Sequence, residues 1–211
     1  MYYLSIKQLS GIGFLLCFFY LFPIVGCKND DKSKVEEEYV VNLPVDSLGS
    51  EPFYPYLDYL NSQLAYIKAT PLSVDKKITI NGKVISETFI SRDELNKLAQ
   101  PFLEINPEIK DLKPFYMENS FADLSIQKLT FSITATRSDL PLLQADILVN
   151  PNNEIVKNVV LKKQFSQGDS SVIQYLLWEN KMYFQISETI QKMNSGSYTR
   201  VTKVTWDRTL Q

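Results

Sequence analysis

Lys128-Leu129-Thr130-Phe131-Ser132-Ile133-Thr134-Ala135 alternates polar and apolar side chains without a break. A period of two sends successive side chains to opposite faces, so this stretch reads as a strand with one face in a core and one in water. Leu143, Ala145, Ile147 and Val149 repeat the pattern, and Asn150-Pro151-Asn152-Asn153 turns the chain back. Further strands are predicted over 154–165, 171–178, 182–190 and 198–206. Gly168-Asp169, Glu179-Asn180-Lys181 and Asn194-Ser195-Gly196 separate them. No proline follows Pro151, which suits a continuous meander of paired strands.

Upstream of this run the period changes. Phe53, Leu57, Leu60, Leu64 and Ile67 form the stripe of a buried helix, opened at Pro52 and Pro55 and stopped by Pro71. Tyr56, Tyr59 and Tyr66 form a second stripe, read as a wide buried face whose hydroxyls reach the rim; the functional alternative is an aromatic platform for glycans or peptides. Asn81-Gly82 predicts a type I′ hairpin in which Thr79 faces Val84, Ile78 faces Ile85 and Lys76 faces Glu87. Ile78, Ile80, Ile85 and Phe89 would then share one buried face. Ser91 and Glu94 make a capping box, and Ile90 with Leu95 a hydrophobic staple, for a second helix that Pro101 kinks or ends. Asn106-Pro107 starts a short helical turn through Leu112. The class is α+β: an antiparallel meander of about six C-terminal strands plus an N-terminal hairpin, with two main helices packed on one face.

Composition narrows the chemistry. The 211 residues include no histidine, which excludes Ser-His-Asp triads, Cys-His dyads and His-ligated zinc. A net charge of −2 gives no reason to expect a nucleic acid partner. Gly49, Gly82, Gly168 and Gly196 are isolated, so no phosphate-cradling loop can be built and no nucleotide is expected. Carboxylate pairs remain, from Asp123, Asp139, Asp146, Glu154 and Asp169. Asp146 stands out inside an apolar strand, but alternation places it in solvent beside Gln144, opposite Ala145 and Ile147. Asn150 to Glu154 reads as a hairpin turn rather than a calcium loop. Lys157, Lys162 and Lys163 read as solvated strand positions. Trp178 and Trp206 fall in phase with apolar neighbours, as core or rim residues; gripping an apolar ligand is the functional alternative. No catalytic residue, metal ligand or cofactor site is assigned.

The N-terminus is a separate object. Lys7 precedes an apolar run from Leu9 to Val25, and Ile24-Val25-Gly26-Cys27 follows. This resembles a lipobox, the cleavage and acylation signal of bacterial lipoproteins, in which a small residue at −1 lets the peptidase reach the backbone beside an acylated thiol. The resemblance implies a signal peptide over 1–26 and a covalent lipid on Cys27, the only cysteine then left in the chain. An uncleaved anchor and an ordinary signal peptide are the alternatives. Lys28-Asn29-Asp30-Asp31 is similar, with Asn29 interrupting, to the signal that sends lipoproteins of Bacteroidota to the cell surface. Residues 27–52 read as a flexible tether holding a domain about 25–30 Å from its lipid. Tyr39-Val40-Val41 and Leu43 could instead add an edge strand that Pro44 ends. Residues 53–211 form a single globular domain.

The pattern resembles envelope lipoproteins of Bacteroidota. That implies a non-enzymatic protein anchored in the outer membrane and presenting a domain to another envelope protein or surface component. The alternative is a carrier or sensor of a lipid or other apolar ligand between sheet and helices. A carboxylate-based glycan hydrolase ranks third.

Overall fold

The computed structural model describes residues 52–206 apart from 124, 126 and 194. The signal peptide over 1–26, Cys27, the tether up to residue 51 and the alternative strand at 39–43 lie outside the described residues.

Helix α1 (Tyr56–Ala69) is followed by the hairpin β1 (Asp75–Ile80) and β2 (Lys83–Phe89), then helix α2 (Arg92–Leu103). Seven strands follow among the described residues: β3 (Tyr116–Asp123), β4 (Lys128–Ala135), β5 (Leu142–Val149), β6 (Val156–Gln167), β7 (Ser170–Glu179), β8 (Tyr183–Lys192) and β9 (Gly196–Thr205). All nine strands form one sheet in the order β2-β1-β9-β8-β7-β6-β5-β4-β3, and every neighbouring pair is antiparallel. The α+β class therefore stands.

Alternation decides which face is covered. Ile133, Ala145, Ile147, Val159, Leu161, Leu176, Trp178, Phe184, Ile186 and Val204 are buried on one side of the sheet. They share a single core with Tyr56, Leu60, Leu64 and Ile67 of α1 and Leu95, Ala99 and Phe102 of α2. The Phe102 ring meets Trp178 edge-on at 5.3 Å between centroids, and Trp178 stacks on Phe184 at 5.1 Å. Each such fully buried side chain stabilises the fold by about 1.5–3 kcal/mol. Ser91 caps α2, its Oγ accepting the Glu94 N–H at 3.2 Å. Only this half of the capping box is present, because the Glu94 carboxylate pairs with Lys76 on β1 instead.

Four expectations need correction. The expected six C-terminal strands are seven, the added one being β3 before residue 124. The stretch 106–112 forms turns, and a single 3-10 turn follows at Lys113–Phe115. The hairpin is not separate: β1 pairs with β9 and extends the main sheet. Its register also differs. Asn81 and Gly82 have the positive φ angles of the turn, 48° and 78°, and Thr79 faces Val84, but a bulge leaves Ile85 extra. Ile78 therefore faces Ser86, Lys77 faces Glu87, and Lys76 faces Thr88. The bulge reverses facing along β2, and Ile85 and Phe89 are exposed, Phe89 at 67%.

Candidate functional site

The long strands carry the site. β6 has 12 residues and β7, β8 and β9 have 10 each, against eight in β4 and β5. On the helix-facing side, Lys163, Gln174, Glu188 and Arg200 are successive cross-strand partners, one on each of β6 to β9. Gln174 Nε2 donates to Glu188 Oε1 at 3.1 Å, and Arg200 Nε donates to Glu188 Oε2 at 2.6 Å. This carboxylate raises the Arg200 pKa. Gln174 is 5% exposed, and its Oε1 has no hydrogen-bond partner.

Lys163 corrects the solvated reading of that position. It is 4% exposed, and its Nζ donates to the Pro101 carbonyl at 3.0 Å and to Glu104 Oε2 at 2.6 Å. Two reasons put it there: it continues the phase of Val159 and Leu161, and a cation suits the carbonyl end of α2. Lys157 and Lys162 remain partly solvated, and Lys162 lies 5.7 Å from the Tyr175 ring centre.

Beyond the polar row the same face carries Phe165, Val172, Ile190 and Tyr198, again in lateral register. The strands then end at two turns. Met193 N–H donates to the Asp169 carbonyl at 3.2 Å, tying one turn to the other. Gly168, at φ 61°, allows the tight reversal between β6 and β7. Between the turns lies a cavity of about 390 Å³, lined by Ser166, Asp169, Ser170, Gln191, Lys192 and Met193 among others. Ser170 and Lys192, cross-strand partners on β7 and β8, both line it, and the Ser170 hydroxyl donates to Asp169. On the rim of this polar hollow Met193 is 80% exposed; Phe165 is exposed on the helix-facing side of β6, and Ile173 and Tyr175 on the far side of β7. A large exposed apolar side chain on the rim of a polar cavity, at the end of the longest strands, is suited to contact with another surface.

The five candidate acids are dispersed. Asp123 ends β3, Asp139 precedes β5, Asp146 lies within β5, Glu154 precedes β6 and Asp169 lies in the turn after β6. Asp146 accepts from Ser132 Oγ at 2.6 Å and from Gln144, on the face opposite Ala145 and Ile147, as alternation required. The Arg137 guanidinium holds the Asp139 carboxyl below its ordinary pKa, at the exposed surface. Asn150 to Ile155 close a hairpin turn through Glu154 N–H to Asn150 C=O at 2.8 Å. Among the described residues no three or more His, Cys, Asp or Glu side chains gather as a metal site would require.

The aromatic candidates are mostly core. Trp178 and Trp206 are buried with their rings 5.5 Å apart. Tyr56 is buried, with its hydroxyl donating to the Ile105 carbonyl at 3.0 Å. Burial pushes the Tyr56 and Tyr59 phenols well above their ordinary pKa. Tyr66 alone of that stripe is exposed, so no aromatic platform forms on α1. Sequence reasoning missed the strand-end cavity and its exposed rim residue Met193. Its available signal was Met193 beside Asn194-Ser195-Gly196, a large apolar side chain at a turn where burial is hard to arrange. Comparison with protein-family models, curated proteins and solved structures finds no match to this chain.

Proposed function

We propose that this is a lipid-anchored envelope protein, attached to the outer membrane through Cys27 and acting as a non-enzymatic binding module for another envelope protein or surface component. The observation that carries this reading is Met193, a large apolar side chain 80% exposed on the rim of the polar cavity at the ends of β6 to β9. The polar row behind it supports the reading, because a cross-linked Gln174–Glu188–Arg200 ladder keeps the three strands β7, β8 and β9 in register and their ends pre-organised. The dispersal of the acids also favours binding over carboxylate chemistry. The carrier alternative is weakened by the core between sheet and helices, where Ile133, Ile147 and Phe184 are each 0% exposed and Phe131 packs against the same cluster.

The test is a photo-crosslinking amino acid at position 193 of the full-length protein in its own cells, with position 58 on exposed α1 surface as the control. A discrete adduct with one envelope component at 193 and none at 58 is expected. No adduct at 193, or the same adducts at both positions, would overturn the proposal.

A further inference from the structure

The two edges of the sheet are built differently. β2 carries the Ile85 bulge, Lys83, and an ion pair from Lys77 to Glu87 at 3.4 Å, devices that discourage a neighbouring strand. β3 has no bulge and no lysine, and its charges are Glu118, held by Tyr54 N–H, and Asp123 at its end. Its eight residues pair one for one with β4 without irregularity, and it contains no lysine, arginine or proline. Met117, Asn119, Ser120, Phe121 and Ala122 are exposed, with Met117 at 48% and Phe121 at 54%.

The pairing also shows which main-chain groups are outward. Phe115 C=O accepts from Thr136 N–H at 2.9 Å, so residue 115 points toward β4. Alternation then turns the N–H and C=O of Glu118, Ser120 and Ala122 to the side on which no strand pairs among the described residues. On the helix-facing side lie Tyr116, Glu118, Ser120 and Ala122, opposite Ala135, Ile133, Phe131 and Leu129; on the far side lie Met117, Asn119 and Phe121.

We propose that the β3 edge docks onto β3 of a second copy of this chain, antiparallel and about a two-fold axis at Asn119, making one sheet continuous across both protomers. The argument is the self-complementarity of this register. It places Met117 opposite Phe121 of the second copy, twice, a sulfur–aromatic contact in place of two exposed apolar side chains. It places Glu118 opposite Ser120, twice, so a hydroxyl can donate to the Glu118 oxygen that Tyr54 N–H does not use, and it sets Tyr116 opposite Ala122. Shifting the axis to Glu118 would put two carboxylates face to face. Shifting it to Ser120 would put Met117 against Asp123. A two-fold, isologous contact needs one strand to complement itself, and β3 does so in this register. The inference goes beyond the binding surface at the strand ends and does not depend on it.

The full-length chain has two cysteines, Cys17 and Cys27, both outside this domain, which allows a disulfide test in intact cells. Asn119 faces its own copy across a non-hydrogen-bonded pair, where Cα atoms stand about 4.5 Å apart, within disulfide range. Asn119→Cys should give a disulfide dimer under mild oxidation. Met117→Cys should not, because residues 117 of the two copies lie four residues apart along the strands, roughly 13 Å. Adding Ser120→Pro to Asn119→Cys removes an outward N–H that β4 does not use, so it should abolish the dimer while leaving the protomer folded by circular dichroism. No dimer from Asn119→Cys would overturn the proposal, as would cross-links to proteins of other size, equal cross-linking at Met117→Cys, wild type that dimerises through its own cysteines alike, or a dimer that survives Ser120→Pro.

Discussion

Lys163 and Glu188 are charged side chains placed among apolar neighbours, and each is held by partners from a different element. Removing one partner leaves the others desolvated, which costs more than the pair contributes. Glu188→Ala strips Gln174 and Arg200 of their shared acceptor. Since Arg200 remains half-exposed, the expected loss is about 2 kcal/mol in urea unfolding. Lys163→Met should lose about 1 kcal/mol, because a hydrophobe of similar length fills the space and the released Glu104 carboxylate is half-exposed to water; Lys163→Ala should lose about 2 kcal/mol through the void it leaves. A Lys163→Met loss as large as that of Lys163→Ala would show that the ammonium itself stabilises the junction of sheet and α2.

Glu118 gives a pH prediction at the same scale. Burial raises its pKa above the ordinary carboxylate value, more than the bond from Tyr54 N–H at 2.6 Å lowers it, and Glu108 adds to the rise. The fold therefore keeps this proton at pH values where the unfolded chain has released it. Its contribution to stability is full below the unfolded pKa and declines as pH rises through the window up to the folded value. Glu118→Gln should lose that decline, so the urea midpoint of wild type relative to the variant should fall as pH increases from about 4.5. A constant difference between the two across this range would contradict the assignment.

Among the elements, those with two agreeing signals were legible. α2 could be placed because Ser91 supplies a cap and Leu95, Ala99 and Phe102 an apolar stripe, and its N–H at Glu94 does reach Ser91. Ser91→Ala should cost about 1 kcal/mol in thermal or urea unfolding, with the rest of the sheet unaffected. The strands from β4 to β9 were legible because each alternates. β3 was not, since as an edge strand it buries only Tyr116 and so carries no period to read. The β2 register was misread for a related reason: turn chemistry fixes the first pairs at Asn81-Gly82, but nothing apolar penalises the bulge at Ile85 on an exposed edge. Lys163 was legible in principle, as the third member of the Val159, Leu161, Lys163 phase, but its charge outweighed its position. The strand-end surface was not legible, because it depends on β6 to β9 ending together with Met193 turned outward.

At the scale of the whole molecule, the proposal joins a lipid at one end to a binding surface on the domain. Cys27→Ser should leave the precursor unprocessed and block palmitate incorporation; normal labelling of that variant would remove the anchor from the account. The central claim, that the anchored domain binds a macromolecular partner rather than carrying a small apolar ligand, is tested most directly by native mass spectrometry of the protein released gently from its own envelope. The expected result is a chain beginning at Cys27, with covalent acyl mass that survives denaturation and no small molecule shed from it. A reproducible small-molecule increment lost on denaturation would contradict that claim and make the chain a carrier.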